Sequence, residues 1–382
     1  MMARLGDVCE ILNGYAFKSA NYTDKGVRII RISNVKKGYI EDNTPAFYPF
    51  DDINVAKYEL LEGDLLLSLT GNVGRVGCLD EKFLPAVLNQ RVACIRIKDS
   101  TALDKSFLFN LLNSDSFEQK CILSSKGVAQ KNMSTEWLKN YKIFLPPLDK
   151  QRHIAAVLDK VSDLIAKRCW QLDKLDELVK SRFVEMFGDP LINPLNWDEL
   201  TLGDLCSKVI RYPTFYGMEY LDVGVRVIRI GNILPDGRMD TDDKNYVFVR
   251  DTVNVDFSET VIEMNDIIMA VRGDGSAAKR IGIITEPILV GANISPNLIR
   301  IKVDFDKLNP VYMFYYLTGE AGQQRLDAYV NKTAKKNIAA KDIVKVIVPV
   351  PPLDLQNQFA AFVKQTDKSK YLNEKSIRQE WL

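Results

Sequence analysis

The sequence predicts an α+β protein built twice over: a mixed α/β globular domain, a long helix, a second similar domain and a second helix. Three observations predict this. Several phrases recur in the same order in both halves of the 382-residue chain. Between them lie short Ile-, Val- and Leu-rich runs bounded by Gly, Asn and Asp, the pattern of strands. After the first Pro-Pro pair, ten positions are spaced 4-3-4-3 without interruption, the pattern of a coiled-coil seam.

The repeats fix the organisation. Leu5-Gly6-Asp7 returns as Leu202-Gly203-Asp204, and Val27-Arg28-Ile29-Ile30-Arg31-Ile32-Ser33-Asn34 as Val225-Arg226-Val227-Ile228-Arg229-Ile230-Gly231-Asn232. Gly63-Asp64-Leu65-Leu66-Leu67 is answered by Asn265-Asp266-Ile267-Ile268-Met269, and Leu145-Pro146-Pro147-Leu148-Asp149-Lys150-Gln151 by Val350-Pro351-Pro352-Leu353-Asp354-Leu355-Gln356. The offset grows from 197 between Leu5 and Leu202 to 205 between Asn132 and Asn337, so small loop insertions separate the copies. A period of this length exceeds the roughly 20–50 residues of solenoid repeats. It marks a duplicated domain, and a duplicated binder suits a two-part target.

Within the first domain, 1–147, the runs 27–32, 64–69, 92–97 and 141–145 predict strands, and 103–113 and 135–140 predict short helices. Pro146-Pro147 ends the sheet pattern, because proline donates nothing to a ladder and restricts the residue before it. The segment 148–188 then predicts one long helix. Its seam runs Ile154, Leu158, Val161, Ile165, Arg168, Leu172, Leu175, Val179, Arg182 and Met186, eight of the ten apolar. Gly188-Asp189-Pro190 stops it. At 1.5 Å per residue the rod is about 55–60 Å long, and its stripe needs a covering partner. The alternative is an amphipathic helix lying flat on its own domain. The second domain spans 189–349, and a second helix is expected within 350–382. Where the first helix has Val161, Ile165, Arg168 and Leu175, the second has Thr366, Lys370, Asn373 and Glu380, so it is shorter and more polar along its seam.

Composition narrows the function classes. A net charge of +1 argues against a general cationic coat for nucleic acid and leaves room for local basic patches. The six cysteines show no Cys-x-x-Cys spacing and no secretory signal precedes them, so reduced, packed thiols in a soluble cytoplasmic protein with no membrane partner are expected. His153 is the single histidine, which excludes a histidine triad or histidine metal cluster. Neither an Asn/Asp-Pro-Pro-Tyr/Phe tetrapeptide nor a P-loop is present. Asp80-Glu81-Lys82 has a nuclease-like spacing, but among 50 acidic residues it is read as a chance match.

The domain–helix–domain–helix order, with Pro-Pro-Leu-Asp-x-Gln opening both helices, resembles the specificity (S) subunit of Type I restriction–modification systems over the whole chain. The resemblance rests on 5–7, 27–34, 63–77, the two proline phrases and their repeats. It implies that each globular domain is a target recognition domain reading one half of a bipartite site in double-stranded DNA. It implies that the helices pair as an antiparallel coiled coil, set the spacing of the half-sites and dock two methyltransferase subunits. It further implies a non-catalytic chain that binds no cofactor. S-adenosylmethionine, ATP and magnesium then belong to the methyltransferase and motor–nuclease partners. The short, polar second helix departs from the family pattern. Two other readings stay open: the recognition subunit of a fused methyltransferase–nuclease system, and a bivalent scaffold for ligands other than DNA.

Residue chemistry supplies candidate DNA contacts. The glycine-rich loop 70–77 offers Thr70, Asn72 and Arg75, and its counterpart 272–280 offers Arg272, Lys279 and Arg280. Glycine admits close approach to a phosphate, and the cations supply charge. The other reading of these loops is a plain surface turn. Lys126, Gln130, Lys131 and Asn132, with Lys332, Lys335, Lys336 and Asn337 opposite, combine cations with amides suited to phosphates and base edges; the alternative is a solvated loop. Arg31 and Asn34, repeated as Arg229 and Asn232, have the same chemistry. Tyr15, Phe17 and Tyr22, with Tyr212, Phe215 and Tyr216 in the second copy, are candidates to pack on sugar or thymine methyl, core packing being the competing role.

Overall fold

The computed structural model describes residues 1–125, 132–211, 219–271, 280–330 and 337–380. The chain divides into two compact units, Met1–Ala166 and Lys167–Leu382, and the division falls inside the central helix, Leu148–Phe187.

In the first unit, Cys9–Asn13, Val92–Ile97, Leu65–Ser68 and Val76–Cys78 form an antiparallel sheet in that order. The sheet is buried on both faces. Leu65, Leu67, Ala93 and Ile95 point into one core with Phe107, Leu108 and Phe117. Leu66, Val92 and Cys94 point into another with Ile30 and Leu88. Side chains alternate across a strand, so a strand covered on both faces reads as an unbroken apolar run, as Leu65-Leu66-Leu67 does. A second sheet orders Phe47–Tyr48, Val27–Ile30, Ala86–Leu88 and Glu59–Leu60, with Val27–Ile30 parallel to Ala86–Leu88. The two expected helices are Lys105–Leu112, capped by Asp104, and Thr135–Asn140, capped by Ser134. A third, Asp115–Ser124 capped by Ser114, was not expected, because its few apolar residues leave a weak periodic signal. The last run shortens to Lys142–Phe144, which pairs with Met2–Arg4.

The second unit repeats the plan. Cys206–Arg211, Leu298–Val303, Ile267–Ala270 and Ile281–Ile283 form its larger sheet, and Val247–Val249, Val225–Ile228 and Asn293–Ile294 its smaller one. Ile267, Met269, Ile299 and Ile301 face one core while Ile268, Ala270 and Leu298 face the other.

Each long helix is fixed to its own domain by a fully buried glutamine. Gln151 Oε1 accepts from the Asp104 backbone N–H (2.9 Å), and its Nε2 donates to the carbonyls of Ala102 and Pro146. Gln356 Oε1 accepts from the Asn309 N–H (2.8 Å), and its Nε2 donates to the Pro351 carbonyl. Asp104 and Asn309 are themselves helix caps, so the last residue of the repeated proline phrase ties three elements together.

The C-terminal helix, Leu353–Glu380, runs antiparallel to the C-terminal half of the central helix. Arg168 Nη1 donates to Asn373 Oδ1 (3.0 Å), Lys370 pairs with Asp176 (2.6 Å), the Arg182 guanidinium lies over the Phe362 ring, and Phe187 meets Phe359. As one number rises the other falls. Two of the polar positions that set the second helix apart, Lys370 and Asn373, are therefore paired across to the central helix, while Thr366 Oγ1 donates to the Phe362 carbonyl of its own helix.

The seam itself needs correction. Val179 is buried, but the helix face continues through Phe183 and Phe187, one residue beyond the expected Arg182 and Met186. At the other end Gln151 and Ala155 are buried, whereas Ile154 and Leu158 are exposed. An unsupercoiled helix turns every 3.6 residues and drifts off a strict 3.5 repeat. Here both ends lie on their own domains, through Ala155 in the first unit and Val179, Phe183 and Phe187 in the second. The N-terminal end thus lies on the first domain, the C-terminal end packs on the second domain and on Phe359 of the C-terminal helix, and Val161, Ile165, Leu172 and Leu175 between them are half-buried. Leu172→Asp or Leu175→Asp is expected to destabilise the helix pair by about 1–3 kcal/mol, because a half-buried carboxylate gains no partner. Lys174→Asp, which gives up an exposed ion pair with Glu177 and an exposed contact with the Trp170 ring, should stay within about 1 kcal/mol. Equal melting temperatures for the three variants would show that the stripe contributes nothing.

Candidate nucleic-acid interface

In each unit described residues in or beside the candidate loops are laced together at one edge by backbone hydrogen bonds. In the first unit, Asn89 N–H donates to Ile30 O (3.2 Å), Leu69 N–H to Arg91 O (3.0 Å) and Met133 N–H to Leu69 O (2.9 Å), and Thr70 bridges Asn132. The second unit repeats the lacing: Ser295 N–H to Ile228 O (2.9 Å), Val271 N–H to Asn297 O (2.9 Å) and Ile338 N–H to Val271 O (3.2 Å). The residues following 27–30, 65–68 and 86–88, with Asn132 and Met133, therefore share an edge, and in the second copy those following 225–228 and 293–294 share one with Val271 and Ile338.

Two candidates leave the set. Asn34 and Asn232 are 2% exposed. Asn34 Oδ1 accepts from Arg31 N–H (2.8 Å), and its Nδ2 donates to the Glu41 carbonyl and to Asp42. Asn232 does the same with Arg229 N–H and the Asn245 carbonyl. An amide so committed has nothing to offer a base; its work is to close the turn that displays the preceding arginine. Arg31 is half-buried and donates to the Thr44 carbonyl, whereas Arg229 is exposed and spends one N–H on Asn245 O. In the glycine-rich loop, Asn72 is exposed, Arg75 half-buried, and Ser68 Oγ pins the backbone by donating to Asn72 O and accepting from Arg75 N–H. Asn132 is exposed; Thr70 and Asn337 are half-buried, with Thr70 Oγ1 and Asn337 Oδ1 lacking a hydrogen-bond partner among the described residues. Arg280 donates to Ile233 O (3.2 Å).

Lys126, Gln130, Lys131, Arg272, Lys279, Lys332, Lys335 and Lys336 lie outside the described residues, as do Tyr212, Phe215 and Tyr216. Of the first-copy aromatics, Phe17 is buried against Tyr48, Tyr15 stacks on Tyr58, and Tyr22 meets Tyr48 edge-on, so they pack the core.

The structure adds residues the motifs do not reveal. Gln90 and Arg91 are exposed on the turn joining Ala86–Leu88 to Val92–Ile97, and Asn297 is exposed at the corresponding place in the second unit. There an open groove of about 730 Å³ is lined by Tyr220, Arg229, Asn245, Ser295, Pro296 and Asn297, among others. Their position directly before a repeated strand was the available signal. Among the described residues no three His, Cys, Asp or Glu gather as a metal site, and no helix is long and apolar enough to cross a membrane. Burial pushes the Cys9, Cys121 and Cys206 thiols up to about 12, which keeps them protonated at neutral pH.

Two copies of one α/β domain, each presenting a loop edge and each continued by a long helix, define a bivalent binding protein of duplicated design. The family described as the Type I restriction modification DNA specificity domain matches residues 1–172 and 194–380, and this chain belongs to it, with the domain present twice. The chain is similar to the type I restriction enzyme EcoBI specificity subunit of Escherichia coli, 25% identical over 390 residues, spanning 94% of this chain and 78% of that one. Its fold resembles the S subunit of a type I system from M. genitalium (TM-score 0.57, 14% identity, 100% of this chain and 92% of that one). It also resembles a chain from a structural study of type I assembly and conformational transition (TM-score 0.59, 18% identity, 100% and 94% covered).

Proposed function

We propose that this chain is the non-catalytic, sequence-reading subunit of a type I restriction–modification complex, each domain reading one half of a bipartite site in double-stranded DNA. The observation that carries the reading is the recurrence, in both copies of the family's domain, of a loop edge held by the same backbone bonds while the displayed side chains differ. Conserved lacing with divergent display is what two readers of different half-sites require. In this reading the helix pair sets the half-site spacing and docks two methyltransferase subunits, which use S-adenosylmethionine. Motor–nuclease subunits, with ATP and magnesium, complete the complex.

The test is methyl transfer to host DNA by the purified chain, by type I methyltransferase subunits of the same host, and by the two together. Only the mixture should methylate adenines, at one bipartite motif identified by single-molecule sequencing. Methylation by this chain alone would overturn the non-catalytic role, and a mixture that methylates without sequence preference would overturn the reading role.

A further inference from the structure

We propose that the turn Asn89-Gln90-Arg91 is the base-reading tip of the first domain, with Arg91 addressing a guanine and Gln90 an adenine, and that Asn297 holds the equivalent place in the second. This rests on the DNA-reading function proposed above and assigns it to particular side chains.

The turn is held on every side. Asn89 N–H donates to Ile30 O, Gln90 N–H to Tyr15 O (3.0 Å), Val92 N–H to Asn89 O (3.0 Å), and Arg91 O accepts from Leu69 N–H. Asn89 Oδ1 accepts from Arg91 N–H (3.4 Å). Gly14 lies so close that a Cβ there would stand 2.2 Å from Asn89 O, so this approach admits only glycine. The backbone is thus fixed, while the Gln90 and Arg91 side chains are exposed and make no hydrogen bond to the described residues. A rigid element presenting a long planar donor is what bidentate reading of a base edge needs: arginine matches guanine O6 and N7, and glutamine matches adenine N6 and N7.

The second unit shows that the display differs while most of the support recurs; the pin that Gln90 N–H makes on Tyr15 O has no counterpart, because Pro296 carries no N–H. Ser295, Pro296 and Asn297 occupy the same turn, with Ser295 N–H on Ile228 O, Leu298 N–H on Ser295 O (3.0 Å) and Asn297 O on Val271 N–H. Here Pro296 removes a side-chain donor and Arg211 Nε donates to the Pro296 carbonyl. A phosphate contact carries no sequence information and gives no reason for the two copies to diverge at this point. A base contact does.

The experiment measures binding of the full-length chain with its methyltransferase subunits to duplexes of the methylated motif, each first-half-site position varied in turn, at two salt concentrations. Arg91→Ala should reduce discrimination roughly ten- to hundredfold at one guanine position of the first half-site and leave the second half-site unchanged. Arg91→Lys should not restore it, because an ammonium lacks the planar fork. Gln90→Ala should relax one adenine position in the same way. A uniform loss of affinity with a shallower salt dependence, rescued by Arg91→Lys, would make Arg91 a phosphate contact and overturn the proposal. So would unchanged discrimination at every position. Should the wild-type complex show no sequence preference at all, the DNA-reading function itself falls, a result distinct from either.

Discussion

Replacing Arg300 by alanine is expected to cost about 3–5 kcal/mol and to unfold the second unit cooperatively at a lower temperature, because it strands a buried carboxylate. Arg300 and Asp266 are each about 1% exposed. Arg300 Nε donates to Asp266 Oδ2 (2.7 Å), Nη2 to Glu263 Oε1 (2.7 Å) and Nη1 to the Glu259 carbonyl (2.9 Å). Asp266 also accepts from Glu263 N–H, but its Oδ1 has no partner among the described residues. Burial accordingly raises the Asp266 carboxyl above its ordinary value despite the adjacent guanidinium.

The sign of the pH dependence follows. A folded state that holds this proton more tightly than the unfolded chain is helped most below the unfolded carboxyl range and loses that help as the pH rises through the raised value. Arg300→Ala, which removes the opposing cation, should therefore be more destabilising at pH 8 than at pH 5. The same pair in the first unit, Arg96 with Asp64, leaves the arginine 30% exposed to water, so Arg96→Ala should cost only about 1–3 kcal/mol. The double change Asp266→Leu with Arg300→Met should recover most of the loss, since an apolar replacement leaves no charge behind. Urea unfolding at both pH values decides the matter. A loss below about 1 kcal/mol for Arg300→Ala, or one independent of pH, would show that water reaches the pair.

These two ion pairs mark where sequence reasoning stops. The phrase containing Asp64 and Asp266 is visible as a repeat, but its partner arginines lie 32 and 34 residues away, and no local pattern joins them. Sheet strands were legible because covering both faces leaves an uninterrupted apolar run, and the long helices because a stripe has a period. Asn34 and Asn232 looked like base readers since an amide beside an arginine has the right chemistry. Only the fold shows both amides turned inward onto the backbone. Gln151 and Gln356 were visible as motif letters, while their role depends on caps 47 residues away in each copy. Gln90 and Arg91 escaped for the opposite reason: an exposed polar turn is the commonest thing in a sequence, and the pins that distinguish this one come from three other segments.

Register in the sequence does not fix burial either, and this gives a second large expected effect. Phe359 stands three residues after Gln356, as Ile154 stands after Gln151, yet Phe359 is fully buried and Ile154 is 39% exposed. Phe359 sits edge-on to Phe183 (5.4 Å), Phe187 (5.5 Å) and Tyr315 (5.3 Å). Phe183 in turn stacks on Tyr312, whose hydroxyl donates to the Pro349 carbonyl (2.7 Å). This cluster joins the start of the C-terminal helix to the end of the central one and to the second domain. Phe359→Ala removes the ring from the centre of a packed core and should cost about 3–5 kcal/mol, a transfer loss plus the cavity left among neighbours too rigid to close it. Phe359→Leu keeps part of the volume and should cost less, and Ile154→Ala, at an exposed site, should stay below about 1 kcal/mol. Farther along the pair the contacts are Lys370 with Asp176 and Asn373 with Arg168, polar pairs that are only partly buried, and these do not replace an aromatic anchor. Loss of Phe359 should therefore release the helix pair from its base, and assembled complexes should lose methylation of correctly spaced half-sites at temperatures where the first unit remains folded. Equal costs for Phe359→Ala and Ile154→Ala would show that the two helices dock alike and that the aromatic cluster does not hold the pair.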